Sequence, residues 1–255
     1  DVHHVHAWSL TPERRLLTLH ATVARGHDHD EVLRQLQVVL AERYEIEQVL
    51  GVGGMSTVYR ARDLRFEDVI RYCAIKEMPD TAPDPKTGAL RLQNFQREAS
   101  LLATLNHPGI VRIYDYFPQD NRVYLVLEYL DGKDLETILD EAQGPMREAD
   151  VLNWAIQICQ VLSYLHRHKP QPIVFRDMKP SNIMLLGDDK VTLVDFGIAK
   201  LFQSDKKGTM IGTEGYSPPE QYRGLAEPRG DIYALGATMH HLLTGSDPRT
   251  QTPFT

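Results

Sequence analysis

The feature that most limits the fold is an order. Two-residue periodicity runs from Tyr44 to Leu130, and helical periodicity dominates after it. "YEIEQVLGVGGMSTVYRARD" reads as strand, Gly-rich turn and strand; "YCAIKEM", "IVRIYDYF" and "RVYLVLEYL" read as further strands, the last two around the turn "PQDN". A Pro-rich loop, "DTAPDPKTG", precedes the helical segment "LRLQNFQREASLLATL". Beyond residue 131, "READVLNWAIQICQVLSYLHRH" carries Val151, Ala155, Ile158, Leu162 and Leu165 on one stripe, with acids at its start and bases at its end. "DIYALGATMHHLLTG" is apolar on most faces, which predicts a buried helix capped by Gly245. Strands first and helices afterwards argue against an alternating parallel sheet. They predict an α+β fold of two lobes, a β-rich one and a helical one.

Composition narrows the function. A net charge of −7 argues against nucleic acid as the main partner, because phosphate-backbone binding needs a basic face. The two cysteines, Cys73 and Cys159, stand in apolar runs, suggest no disulfide framework and fit a reducing, cytoplasmic setting. No uninterrupted apolar run reaches the roughly 18 residues of a membrane span. The chain starts at Asp1 with no signal-like segment and stops at "TPFT", so both ends read as cut from something longer.

Four places carry chemistry that packing does not require. Gly51 and Gly53, between two strands, let backbone amides approach phosphate oxygens. Lys76 ends the apolar strand "CAIK". Glu98 shares a helix face with Phe95, Ala99, Leu102 and Leu105, so it points inward and needs a cation, for which Lys76 is the nearest candidate in chain order. "VFRDMKPSNIMLL" sets Arg176, Asp177, Lys179 and Asn182 at the lip of an apolar segment. The following "NIMLLGDDKVTLVD" reads as a hairpin turning at Asp188-Asp189, which places Asn182 opposite Asp195. Two hard oxygen donors at one hairpin mouth suit Mg²⁺. Asp177 can accept or orient a hydroxyl proton, and Lys179 can neutralise a transferring phosphate.

Together these residues resemble the eukaryotic-type protein kinases, and most closely their bacterial Ser/Thr members. The resemblance covers about residues 43–255, with a β-rich lobe at 43–130 and a helical lobe at 131–255. It rests on the Gly-rich loop (Gly51, Gly53, Ser56, Val58), the strand lysine (Ala74, Ile75, Lys76) and the helix Glu98. It rests further on the catalytic loop (Arg176, Asp177, Lys179, Asn182), the Asp195-Phe196-Gly197 turn, "GTEGYSPPE" (Gly212–Glu220) and Asp231. Lys179 after Asp177, with Thr213 in the segment, resembles the Ser/Thr branch. The resemblance implies Mg²⁺-dependent transfer of phosphate from ATP to a protein serine or threonine. Gly51, Val52, Gly53, Gly54, Ser56 and Val58 would cover the phosphates. Ala74, Leu127, Glu128 and Leu130 would surround the adenine. Lys76, held by Glu98, would grip the α- and β-phosphates, Asn182 and Asp195 would hold the metal, and Asp177 would position the hydroxyl. Asp231 would brace the catalytic loop. Arg176 beside Asp177 implies control by phosphorylation of the segment, with Thr209 as acceptor ahead of Ser204. Three departures accompany the match. Phe175 stands where the family usually has His, in a position expected to pack under the Asp195 turn. Ser56 replaces the third glycine, and Pro218-Pro219-Glu220 replaces Ala-Pro-Glu. The family's last helices, with the arginine that pairs with Glu220, do not appear, which predicts a costly unpaired Glu220.

Residues 1–42 read differently, and six of the chain's eleven His lie before residue 30. "VHHVHAWSL" and "LLTLHATVA" read as strands, and "HDHDEVLRQLQVVLAERY" as an amphipathic helix. This segment resembles the cytosolic C-terminal domain of cation diffusion facilitator transporters, a ferredoxin-like fold, with His3 and His20 at metal-binding positions. The strand that would close that fold is replaced by "EIEQVLGVGG", and two imidazoles are fewer than the four ligands zinc normally takes. Three readings follow from the sequence: a Ser/Thr protein kinase, a kinase-fold binding module without strong activity, and a metal sensor built on residues 1–42.

Overall fold

The two periodicities fold into separate units. The computed structural model describes residues 43–52, 56–66, 68–79, 85–119, 122–196 and 213–250. Every expectation for residues 1–42, His3 and His20 included, lies outside these, as do Gly53, Gly54, Gly197, Ser204, Thr209, Gly212 and the side chain of Glu98.

The first unit ends at Tyr129 and excludes the segment 82–112. It is a five-stranded antiparallel sheet of order β1-β2-β3-β5-β4. Its strands are β1 (Tyr44–Val52), β2 (Thr57–Asp63), β3 (Tyr72–Pro79), β4 (Ile113–Gln119) and β5 (Arg122–Glu128). Alternation sorts its side chains. One set of buried residues, Tyr44, Ile46, Tyr59, Ala61, Cys73, Ile75, Tyr124 and Val126, forms a continuous core. The turn after β2 is tied by buried Asp63, which accepts two hydrogen bonds of 2.8 Å from the Arg65 guanidinium. Glu77, also buried, accepts from the Tyr59 hydroxyl at 2.7 Å and pairs with Arg122. A buried carboxylate needs such partners, so these contacts pin the strand order.

The second unit holds α1 (Pro85–Ala103), α2 (Leu135–Ala142), α3 (Glu148–His166), α4 (Pro228–Thr244) and a three-stranded sheet, β6 (Gly132–Asp134), β7 (Ile183–Leu186) and β8 (Lys190–Leu193). The predicted α3 stripe is buried in full, joined by Trp154 and Val161. α4 ends at Gly245, whose φ of 70° is left-handed and whose N–H reaches the His241 carbonyl at 2.8 Å. That is the predicted glycine cap. α1 begins at Pro85, inside the expected loop. Proline is favoured in a first helical turn, where its missing N–H has no intrahelical partner. α2 was not anticipated. Asp134 caps it by accepting from Thr137 N at 2.9 Å.

Three further expectations are corrected. The strand expected from Ile110 starts at Ile113, because Ile110 and Val111 pair instead with Leu193 of β8. That approach needs Gly109, where a Cβ would meet Val161 Cγ2 at 2.6 Å. The 183–193 hairpin is also one residue out of the expected register: Ile183 pairs with Leu193 and Leu186 with Lys190. Its turn is Gly187-Asp188-Asp189, with both aspartates left-handed at φ 62° and 55°. Asn182 therefore faces Val194, whose N–H donates to the Asn182 carbonyl at 3.0 Å, and Asp195 stands one residue farther on. Glu220, expected to be buried, is half-buried.

Candidate active site

The side chains of the 173–182 loop belong wholly to the second unit, so their geometry can be built from local parts. α3 delivers its last residue, His166, and the Ile173 N–H turns back to the Leu165 carbonyl at 3.0 Å. From the first turn of α4 comes Asp231, only 1% exposed. Its Oδ2 accepts from Phe175 N at 2.9 Å and meets His166 Nε2 at 2.8 Å; its Oδ1 accepts from Arg176 N at 2.8 Å. The predicted bracing role is thus met by three contacts, as a buried carboxylate requires. Phe175 is fully buried and meets Phe196 edge to face, with ring centroids 5.0 Å apart, so the aromatic packs as expected at its unusual position.

Two residues of the site adopt left-handed backbone, Arg176 at φ 70° and Asp195 at φ 63°. For a side chain with a Cβ this costs about 1–2 kcal/mol, so the surroundings must hold it. At Arg176 the break turns the chain so that Asp177 becomes a buried carboxylate, 5% exposed. Thr213 Oγ1 donates to Asp177 Oδ1 at 2.8 Å. Asn182 Nδ2 donates to Asp177 Oδ2 at 3.0 Å and to its main-chain carbonyl at 2.8 Å. Lys179 Nζ lies 3.7 Å from Oδ2. These neighbours fix the plane of the Asp177 carboxylate.

The first unit presents the remaining described candidates. Lys76 lies opposite Val58 on β2 and Leu125 on β5, and Ala74 lies opposite Leu127. Paired antiparallel residues share a face, so Val58, Ala74, Lys76 and Leu127 all lie on one side of the sheet. Lys76 is 6% exposed, a buried ammonium and not a snorkelling one. Gly51 pairs with Val58, and among the described residues nothing lies within 4 Å of where a Cβ would stand. Val52 is exposed, and Ser56, Glu128 and Leu130 are half-buried.

Sequence reasoning brought Asp177, Lys179 and Asn182 together, and the structure does the same. It missed the direct bond from Thr213 to Asp177, having read that threonine only as part of the segment. It missed His166 at the end of α3 and buried Gln221, which follows the "SPPE" stretch. Among the described residues no helix is long and apolar enough to cross a membrane.

Comparison with known proteins agrees with this geometry. The family described as "Protein kinase domain" matches residues 44–253. Serine/threonine-protein kinase PknB of Mycolicibacterium smegmatis is 38% identical over 220 residues, covering 82% of this chain and 33% of that protein. Serine/threonine-protein kinase PrkC of Bacillus subtilis is 39% identical over 216 residues, 82% of this chain and 31% of that protein. The solved structure of PpkA-294 in its apo form matches with a TM-score of 0.67 at 25% identity, covering 84% of this chain and 82% of that one. The chain spans about a third of the length of the curated relatives it matches.

Proposed function

This chain belongs to the protein kinase family, and we propose that it transfers the γ-phosphate of ATP to the hydroxyl of a serine or threonine in a protein substrate. One observation carries the reading: the buried Asp177 carboxylate is held by the Thr213 hydroxyl, the Asn182 amide and the Lys179 ammonium. Such a carboxylate has little structural use, yet it suits the orientation of an incoming hydroxyl. Lys179, one-quarter exposed, would offset negative charge on the phosphoryl group in transit. On the first unit, buried Lys76 is the candidate cation for the α- and β-phosphates. Val58, Ala74 and Leu127, on its side of the sheet, are apolar and suit the adenine.

The metal that such a reaction uses has candidate ligands here. The Asn182 amide nitrogen donates twice to Asp177, so its carbonyl oxygen is turned away from these bonds, and half-buried Asp195 adds a carboxylate. Both are hard oxygen donors. An ion of this kind takes one or two protein ligands together with phosphate and water. Bound there, Mg²⁺ would supply charge neutralisation on the phosphates. Asn182 and Asp195 would hold it. The same reading includes control by phosphorylation at Thr209, with Arg176 as the receiving cation, and a cytoplasmic setting.

The test is transfer of label from γ-labelled ATP with Mg²⁺ to a serine- and threonine-containing protein acceptor, the chain itself included. Labelling that the Asp177→Asn variant loses supports the reading. Equal labelling by the two would refute it, and no labelling by either would favour a binding module.

A further inference from the structure

Arg176 is pinned from one side by Asp231, and the structure supplies a second pin. Gln221 follows the half-buried Glu220 and opens a short 3-10 turn, Gln221–Arg223. It is 4% exposed. Its Nε2 donates to the Arg176 carbonyl at 2.8 Å and to the Ser217 hydroxyl at 3.2 Å. A carbonyl oxygen can only accept, so the amide nitrogen must face it. The Arg176 N–H meanwhile donates to Asp231 at 2.8 Å. Both main-chain polar groups of a left-handed residue are thus held by buried side chains from distant parts of the sequence.

We propose that Gln221 is a positioning residue for Asp177. It holds the Arg176 carbonyl, keeps Arg176 left-handed, and so fixes where the next residue aims its carboxylate. It also ties the 213–217 segment, whose Thr213 contacts Asp177, to the loop that carries Asp177. This rests on the kinase reading of the site and adds a residue that touches neither substrate nor metal. Asp231 holds one end of the Arg176 unit; without Gln221 the other end loses its buried donor, and the strained conformer has less to hold it.

Two readouts on the 255-residue chain test this. Gln221→Leu keeps the bulk and removes the donor. Its kcat should fall roughly 10-fold to 100-fold, the cost of a small misplacement of a reacting group, with KM for ATP unchanged within about twofold. Hydrogen–deuterium exchange of a peptide spanning residues 174–178 should quicken while α3 exchanges at the wild-type rate. Gln221→Glu adds a signature that loss of packing would not give. A buried carboxylate facing a carbonyl is repelled when ionised and donates a hydrogen bond when protonated. The ratio of Gln221→Glu to wild-type kcat should therefore rise as pH falls from 8 to 6. Unchanged exchange at 174–178 in Gln221→Leu would overturn the proposal whether or not the chain transfers phosphate. So would a wild-type kcat for Gln221→Leu with a flat Gln221→Glu ratio. A wild-type chain that transfers no phosphate would count against the kinase reading, and the exchange comparison would still decide the role of Gln221.

Discussion

The sheet of the first unit and the loop at 173–182 reach the same end by opposite means. Lys76 is placed by regular structure: β2 and β5 flank its strand, and neighbouring residues alternate faces. Asp177 is placed by irregular structure. The residue before it is left-handed, and the bonds that hold the loop come from His166, Thr213, Gln221 and Asp231, spread over 65 residues of sequence. A strand position is set by many weak, equivalent bonds, so single changes there shift it little. The loop depends on a few side-chain bonds, each holding one main-chain group. The comparison teaches where mutation should uncouple activity from stability and where it should not.

The largest expected effect is at Asp231. Asp231→Ala leaves the Phe175 and Arg176 N–H groups without their acceptor and opens a small void. It should cost about 3–5 kcal/mol in urea unfolding and abolish phosphate transfer. Lys76→Met is the counterpart on the regular side. It should lower transfer by at least about 100-fold, and its stability cost should be smaller than that of Asp231→Ala, because methionine fills most of the volume of the lysine stem. If both variants lose stability alike, the contrast between the regions fails. Thr213→Val should reduce kcat roughly 10-fold through loss of one hydrogen bond to a carboxylate, worth about 1.5 kcal/mol, and Thr213→Ser should restore most of it.

The smallest effect concerns pH. Burial, the largest influence, holds the His241 imidazole below its usual pKa; the charges of Asp247, Glu136 and Asp140 push it back up, and that of Arg249 pushes it down. Its Nδ1 lies 2.7 Å from the Tyr216 hydroxyl. The folded state therefore binds fewer protons than the unfolded state near pH 6.5, and stability falls as pH drops below that value. His241→Gln should flatten urea midpoints between about pH 7 and pH 5. A slope equal to that of the wild type would show that His241 contributes nothing to it.

These differences also explain what the sequence disclosed. Periodicity located the five strands, the α3 stripe and the Gly245 cap, because each is a local pattern. Lys76 showed itself as a charge on an apolar strand, and Asp231 only through the family resemblance. The hairpin register was missed because two aspartates accept left-handed backbone in a three-residue turn, a choice that alternation does not encode. Ile110 and Val111 looked like strand, but their partner is Leu193, beyond any local signal. α2 is short, and its cue was Asp134 standing three residues before Thr137. Gln221 gave no cue at all, since a glutamine 45 residues from the carbonyl it holds looks like any surface amide.

The most direct test separates holding from reacting. Asp177→Asn should bind ATP with Mg²⁺ within about twofold of the wild-type Kd, measured by calorimetry, and transfer its γ-phosphate at least about 1,000-fold more slowly. Transfer within tenfold of wild type at equal affinity would contradict the assignment of Asp177 as the residue that orients the accepting hydroxyl.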